Sequence, residues 1–181
     1  MLANTYRRQL RVRAVEQYGY VTTVDAHQLR IPVVELRKIA ARGGLRQVAR
    51  GVYRFEDIPR THLDRYMEAV LRIGYDAHIA GESVLALHDL ALVNPLKICV
   101  SVGTPTRKRL PRNVALVVES VNPSSVVEFE GIPASTVARA IRDCRGRVMR
   151  QRLQQATDVA AEKGLISRQD ARSLHLELRR K

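Results

Sequence analysis

At 181 residues the chain is long enough to bury a sizeable core, as one large domain or two small ones. Thirty-one Lys and Arg against eighteen Asp and Glu give a net charge of +13 and a pI near 10.6, a self-repulsion that points to a polyanionic partner: nucleic acid first, then an acidic protein or a membrane face. Residues 1–20 hold no apolar signal core and no apolar run approaches membrane-spanning length, so a helical membrane span is excluded and a cytoplasmic chain is the expectation.

The first sixty residues predict three helices and a hairpin. Tyr6, Leu10, Val12, Val15 and Tyr18 give an approximate helical stripe between Thr5 and Gly19, with Arg7, Arg8, Arg11 and Arg13 on the other faces. Thr22 or Thr23 is placed to cap a short second helix, and Pro32 stands at the first turn of a third that runs to about Arg42. Gly43-Gly44 ends it. Leu45–Val48 and Val52–Phe55 alternate as strands do, around the tight turn Ala49-Arg50-Gly51. Helix, helix, short turn, helix and hairpin is the order of a winged helix-turn-helix.

The segment "EDIPRT" (Glu56 to Thr61) reads as a junction, which sets residues 1–58 apart from a second domain over 61–181. Thr61 can open a helix to about Ile73 with Leu63, Tyr66, Val70 and Ile73 on one face, and a second helix follows in "AGESVLALHDLAL". "LKICVSV" and "NVALVVES" are the strongest strand candidates, and "SSVVEFEGIPAST" adds further strand. Ser135 or Thr136 can open a helix toward Cys144. Arg147 to Lys163 reads as a helix closed by Gly164, and Ser167 caps a last one. The expected class is α+β: an N-terminal winged helix-turn-helix followed by a C-terminal mixed α/β domain.

At 100° per residue, Val33, Leu36, Ile39 and Ala40 share the packing side of the third helix. Val34, Lys38 and Ala41 point away, with Arg37 on one flank and Glu35 and Arg42 on the other. Arg and Lys can donate to guanine, Glu35 can accept from cytosine, and Val34 can touch a thymine methyl. An ordinary solvated basic face has the same composition. The hairpin adds Arg46 and Arg50, with Arg54 further along, as guanidinium groups for phosphate or the minor groove. Residues 1–60 carry twelve Lys and Arg against five Asp and Glu. DNA-contacting candidates are therefore Val34, Glu35, Arg37, Lys38, Arg42, Arg46 and Arg50.

A second basic concentration is the loop "TPTRKRLPR", with Arg107, Lys108, Arg109 and Arg112, and a third is the series Arg139, Arg142, Arg145, Arg147, Arg150 and Arg152. Each fits either contact with an acidic partner or nucleic acid, or plain solvation. Catalytic and metal patterns are weak. The five histidines lack metal-ligand spacing, so no metal or cofactor is expected. Ser83, His88 and Asp89 hold the letters of a triad without a nucleophile elbow. Glu119, Glu128 and Glu130 could serve a magnesium nuclease, but "VEFEGIP" lacks the following lysine. Cys99, inside "KICVSV", reads as a buried thiol. A non-enzymatic chain is the expectation.

The pattern ending in "RGVYRF", followed by "AGESVLALHDLALVNPLKICVSV", a basic loop and "VALVVE", resembles the AbiEi family of antitoxins over roughly Thr5 to Glu119. The resemblance implies the antitoxin of an AbiE toxin–antitoxin system, of the type IV class. Its winged helix would bind an inverted-repeat operator and repress its own operon, and its C-terminal domain would counter a nucleotidyltransferase-like toxin. Carried onto this chain, it makes Arg37, Lys38, Arg42, Arg46 and Arg50 the DNA-reading helix and wing. The loop Arg107, Lys108, Arg109 and Arg112 is the candidate antitoxin surface. A winged-helix regulator whose C-terminal half dimerises or senses a ligand is the alternative.

Overall fold

In the computed structural model the described residues are 2–106, 108, 110–120 and 122–179, with side chains from residue 5 onward. The fold is α+β and divides into two compact units, Met1–Tyr75 and Asp76–Lys181. The division falls after Tyr75, not at the expected junction 56–61. The helix after that junction is held to the N-terminal sheet by a buried ion pair, Arg54–Asp64, and by its buried apolar face.

The first unit runs α1 (Leu2–Glu16), β1 (Tyr20–Thr22), α2 (Thr23–Gln28), α3 (Val33–Ala41), β2 (Leu45–Ala49), β3 (Val52–Phe55) and α4 (Asp64–Ile73). Its antiparallel sheet has the order β1-β3-β2. α1 buries Leu10 and Ala14 completely, while Val12 and Val15 are 60% and 58% exposed. The expected stripe was therefore turned: residues 6, 10 and 14 lie on one helix face, and the small Ala14 allows close approach. Gly19, at φ +87°, reverses the chain after α1, where a Cβ would stand 3.3 Å from Ile58 Cβ. α2 begins in a capping box, Thr22 Oγ1 accepting from the Asp25 N–H at 3.1 Å while Asp25 Oδ2 accepts from Thr22 N at 2.7 Å.

The two faces of this sheet are covered separately. Val21, Tyr53 and Phe55 join Leu10, Leu36, Ile39 and Leu45 in the core beneath the first three helices. On the other face, the Tyr20 hydroxyl donates to Glu68 Oε2 on α4 at 2.6 Å, and the buried face of α4 supplies Tyr66, Met67, Val70 and Ile73. All four residues of β3 are consequently buried.

The second unit contains β4 (His78–Ile79), α5 (Glu82–Leu87), β5 (Ile98–Val102), β6 (Val114–Val118), β7 (Val126–Phe129), β8 (Ile132–Ser135), α6 (Val137–Asp143), α7 (Arg150–Glu162) and α8 (Arg168–Arg179). The sheet order is β6-β5-β4-β8-β7, with β5 parallel to β6 and β4 parallel to β8. The basic segment 103–113 is the long connection that a parallel pair requires. Thr136 caps α6 by accepting from Arg139 N, and the Ser167 hydroxyl accepts from Asp170 N ahead of α8. Ile79, Leu85, Ile132, Ile141, Leu153 and Leu174 are fully buried. Among the described residues no helix is long and apolar enough to cross a membrane.

Asp25, with no exposed surface, also accepts from Arg13 Nε at 2.9 Å and from Thr22 Oγ1 at 2.8 Å. Burial alone would raise its pKa, but the Tyr75 hydroxyl, Arg13 and Thr22 outweigh burial and hold it below the ordinary 3.8. A carboxyl depressed on folding contributes stability above its unfolded pKa and loses it as pH falls through the folded one. Asp25→Asn should therefore destabilise the first unit by about 2–3 kcal/mol at neutral pH, and the gap to wild type should close on acidification below about pH 4. All six tyrosines lie within residues 6–75, so near-UV circular dichroism of tyrosine reads this unit alone. A gap that persists unchanged at low pH would show that the Asp25 charge contributes nothing.

Candidate nucleic-acid interface

Helix α3 presents two faces. Leu36 and Ile39 are buried, as the helical spacing predicts, and Val34, Arg37, Lys38, Ala41 and Arg42 are exposed, Val34 at 54%. Pro32 stands before its first residue and frees no N–H, and Glu35 lies in the first turn where a negative charge is favourable. The hairpin behind it is closed by Gly51 at φ +74°, whose added Cβ would meet Thr23 Oγ1 at 3.0 Å. The Gly51 carbonyl accepts from Thr23 N at 2.9 Å. The hairpin turn is thus fixed to the start of α2.

The candidate basic residues have unequal partners. Lys38 Nζ lies 2.8 Å from Glu35 Oε1 on the same helix, so two proposed base readers neutralise each other in the free chain. Such exposed pairs are worth only about 0–1 kcal/mol and open readily. Arg46 has a loose contact with Glu56 at 3.8 Å, both half exposed. Arg37, Arg42 and Arg50 are exposed and, among the described residues, have no carboxylate partner.

Arg54 is corrected. It was expected on the protruding face of the hairpin, yet only 4% of its side chain is exposed. Its Nη2 lies 2.9 Å from Asp64 Oδ2, and its remaining donors reach the carbonyls of Phe55, Ile58 and Pro59. The cause is α4, which covers the face of β3 that a free hairpin would leave wet. Sequence reasoning missed Arg7, which donates to the Gly43 carbonyl at 3.1 Å and lies over the Phe55 ring. A Cβ on Gly44 would meet its Nη2 at 2.7 Å. Arg7 therefore fixes the turn between α3 and β2, and nothing in its sequence neighbourhood signals that partner.

A charge census explains the free arginines. Residues 1–75 hold seven carboxylates, and each pairs with a basic side chain: Glu16 and Asp25 with Arg13, Glu35 with Lys38, Glu56 with Arg46, Asp57 with Arg11, Asp64 with Arg54 and Glu68 with Arg72. No carboxylate remains for Arg37, Arg42 or Arg50, nor for Arg7, Arg8, Arg30, Arg60 or Arg65.

The second unit distributes its charge differently. Arg107 and Arg109 lie outside the described residues. Lys108 and Arg112 are exposed, and the Lys108 backbone N–H donates to Thr106 Oγ1 at 3.2 Å. Arg112 precedes β6, whereas Arg139 bonds Glu119 just after that strand, so the two basic groups stand at opposite ends of it. Nor is the Arg139–Arg152 series an even stripe. Arg139 is held by Glu119 and Asp143, and Arg142 by Glu177.

Ser83 is fully buried and its Oγ accepts from Cys99 N at 2.8 Å, while His88 packs edge-on against Phe129. Glu119 follows one edge strand, β6, and Glu128 lies on the opposite edge, β7. Cys144 is buried, its thiol pushed up to about 12 by burial. Among the described residues no three His, Cys, Asp or Glu side chains gather as metal ligands.

No family model and no curated protein matches the chain. Among solved structures, the RV2827C protein from Mycobacterium tuberculosis is similar over 98% of this chain and 82% of its own, at 16% sequence identity and a TM-score of 0.38. A likeness of that strength carries no argument about fold or function.

The two hairpin arginines should behave oppositely. Arg54→Ala leaves Asp64 buried without a counter-charge and should cost the first unit about 3–5 kcal/mol. Arg50→Ala, at the exposed turn, should change stability by less than about 0.5 kcal/mol. Urea unfolding followed by tyrosine signal measures both, and equal small effects would contradict the buried assignment of Arg54.

Proposed function

We propose that the first unit is a winged helix-turn-helix that binds double-stranded operator DNA, with α3 in the major groove and the β2–β3 hairpin as the wing on the flanking backbone. The observation that carries this reading is the exhausted carboxylate supply of residues 1–75. It leaves Arg37, Arg42 and Arg50 unneutralised on the helix and the hairpin turn, where phosphate is the natural counter-charge. The element order and the β1-β3-β2 sheet support the same reading. On the resemblance of "RGVYRF" and the segment after it to the AbiEi family, the chain is an antitoxin that represses its own operon. Its second unit counters a nucleotidyltransferase-like toxin. It acts by binding rather than by catalysis, in the cytoplasm.

The contacts divide by role. Arg37 and Lys38 face base edges, the latter after release from Glu35, and Arg50 holds phosphate. Binding of the full chain to duplex from its own upstream region, and to a scrambled duplex, should be measured across a salt series. Arg37→Ala or Lys38→Ala should cost about 1–3 kcal/mol on the operator and flatten its preference over the scrambled duplex. Arg50→Ala should weaken both duplexes alike and make the salt slope shallower by about one unit per protomer. If all three folded variants bind as wild type does, the basic helix and hairpin are only a solvated surface and the proposal fails.

A further inference from the structure

The second unit contains an arginine-lined cleft that the DNA-binding reading does not use. It has a volume of about 780 Å³, formed where the segment between α6 and α7 meets the start of α7 and the end of α8. That size lies in the roughly 300–1,000 Å³ range of small-ligand clefts. Arg145, Arg147 and Arg150 line it together with Met149, Leu153 and Leu178. A fourth arginine of the lining, Arg142, is already held by two hydrogen bonds to Glu177, at 2.9 and 3.2 Å. Glu177 also accepts from Ser173, and with Arg142 foremost among the causes its pKa is lowered. The other three guanidiniums have no carboxylate partner among the described residues.

The start of α7 makes this arrangement costly without a ligand. The first N–H groups of a helix carry a partial positive charge and have no partner within it. Met149 stands at the cap position, supplies no side-chain hydrogen bond and is 64% exposed, and the first turn contains no acidic residue. Arg150 and Arg152 occupy that turn instead, at the end where cations are unfavourable. Gly146, at φ +78°, shapes the preceding segment, and the Cys144 carbonyl accepts from both Arg147 N and Val148 N. The arginines are thus carried on an ordered turn. Like charges gathered at the wrong helix end are a local conflict of the kind that marks a binding site.

We propose that this cleft binds the phosphate chain of a nucleoside triphosphate, with Arg145, Arg147 and Arg150 and the open N–H groups of α7 as donors. Guanidinium forks match phosphate oxygens in pairs, and three unpaired cations match a di- or triphosphate better than a single carboxylate. Met149, 64% exposed, offers the base an apolar face, with the nearly buried Leu153 and Leu178 beneath it. An acidic peptide would use the cations but leave the exposed Met149 face idle.

Calorimetric titration of the full chain with ATP, GTP, inorganic tripolyphosphate and guanosine tests the assignment. Saturable binding of ATP or GTP is expected, weaker binding of tripolyphosphate, and none of guanosine. Arg147→Gln with Arg150→Gln should weaken nucleotide binding about tenfold or more. Met149→Asp supplies the missing cap, so it should raise thermal stability while weakening nucleotide binding to a similar degree. That variant separates loss of the site from loss of the fold. Arg37→Ala, in the first unit, should leave nucleotide affinity unchanged, which keeps this test independent of the operator experiment. The proposal is overturned if neither nucleotide saturates, or if Met149→Asp and the double variant bind as wild type does. Tripolyphosphate binding as tightly as ATP would replace the nucleotide with a bare polyphosphate. Loss of duplex affinity in these variants, without any nucleotide binding, would make the cleft a nucleic-acid contact instead.

Discussion

The buried pair of Arg54 and Asp64 is the contact on which the N-terminal unit turns. It places a guanidinium against a carboxylate with only 4% and 8% of the two side chains exposed, and the surrounding carbonyls of Phe55, Ile58 and Pro59 take the remaining donors. A charge pair so enclosed contributes little net stability against an apolar substitute, but removal of either partner is expensive. Its structural consequence is that α4 is held on the second face of the β1-β3-β2 sheet. That in turn buries all of β3 and extends the compact unit to Tyr75.

Once α4 is docked, the distribution of charge follows. A unit with twice as many basic as acidic side chains commits every carboxylate to a partner, two of them, Asp25 and Asp64, in the interior. What is left over is determined by position. Arg7, Arg11 and Arg13 on α1 find a carbonyl and a ring, Asp57 and Asp25 respectively. On the outer face of α3 and the hairpin turn, Lys38 takes Glu35, and Arg37, Arg42 and Arg50 find no carboxylate. Arg37, Arg42 and Arg50 thus gather part of the excess charge on α3 and the hairpin turn, while Arg8, Arg30 and Arg60 are exposed elsewhere in the unit.

Much of this was legible in the sequence, and the misses have physical causes. The third helix, its buried Leu36 and Ile39, the Gly51 turn and the Thr22 cap followed from local periodicity and local chemistry, which involve neighbours within a few residues. Arg54 was misjudged because its partner is ten residues away on an element whose docking no period-2 pattern reveals. The strands β1 and β4, of three and two residues, are too short to show alternation, and they exist only because longer strands pair with them. The turned face of α1 came from weighting Val12 and Val15 above Ala14, although a small residue at a close helix contact can matter more than a large one on the surface. In the second unit the arginine series was read as a basic run, fit for a partner or for plain solvation, with no cleft foreseen. The chain breaks at Gly146 between two helices, and that break is what makes a concave, basic cleft out of a linear run.

Amide-resolved NMR of the full chain, titrated with a duplex from its own upstream region, tests the localisation of that charge most directly. Shift changes should concentrate in residues 33–55, on α3 and the β2–β3 hairpin, and their magnitude should fall as salt is raised. Changes confined to α1, α4 or the second unit, with residues 33–55 unmoved, would contradict the account.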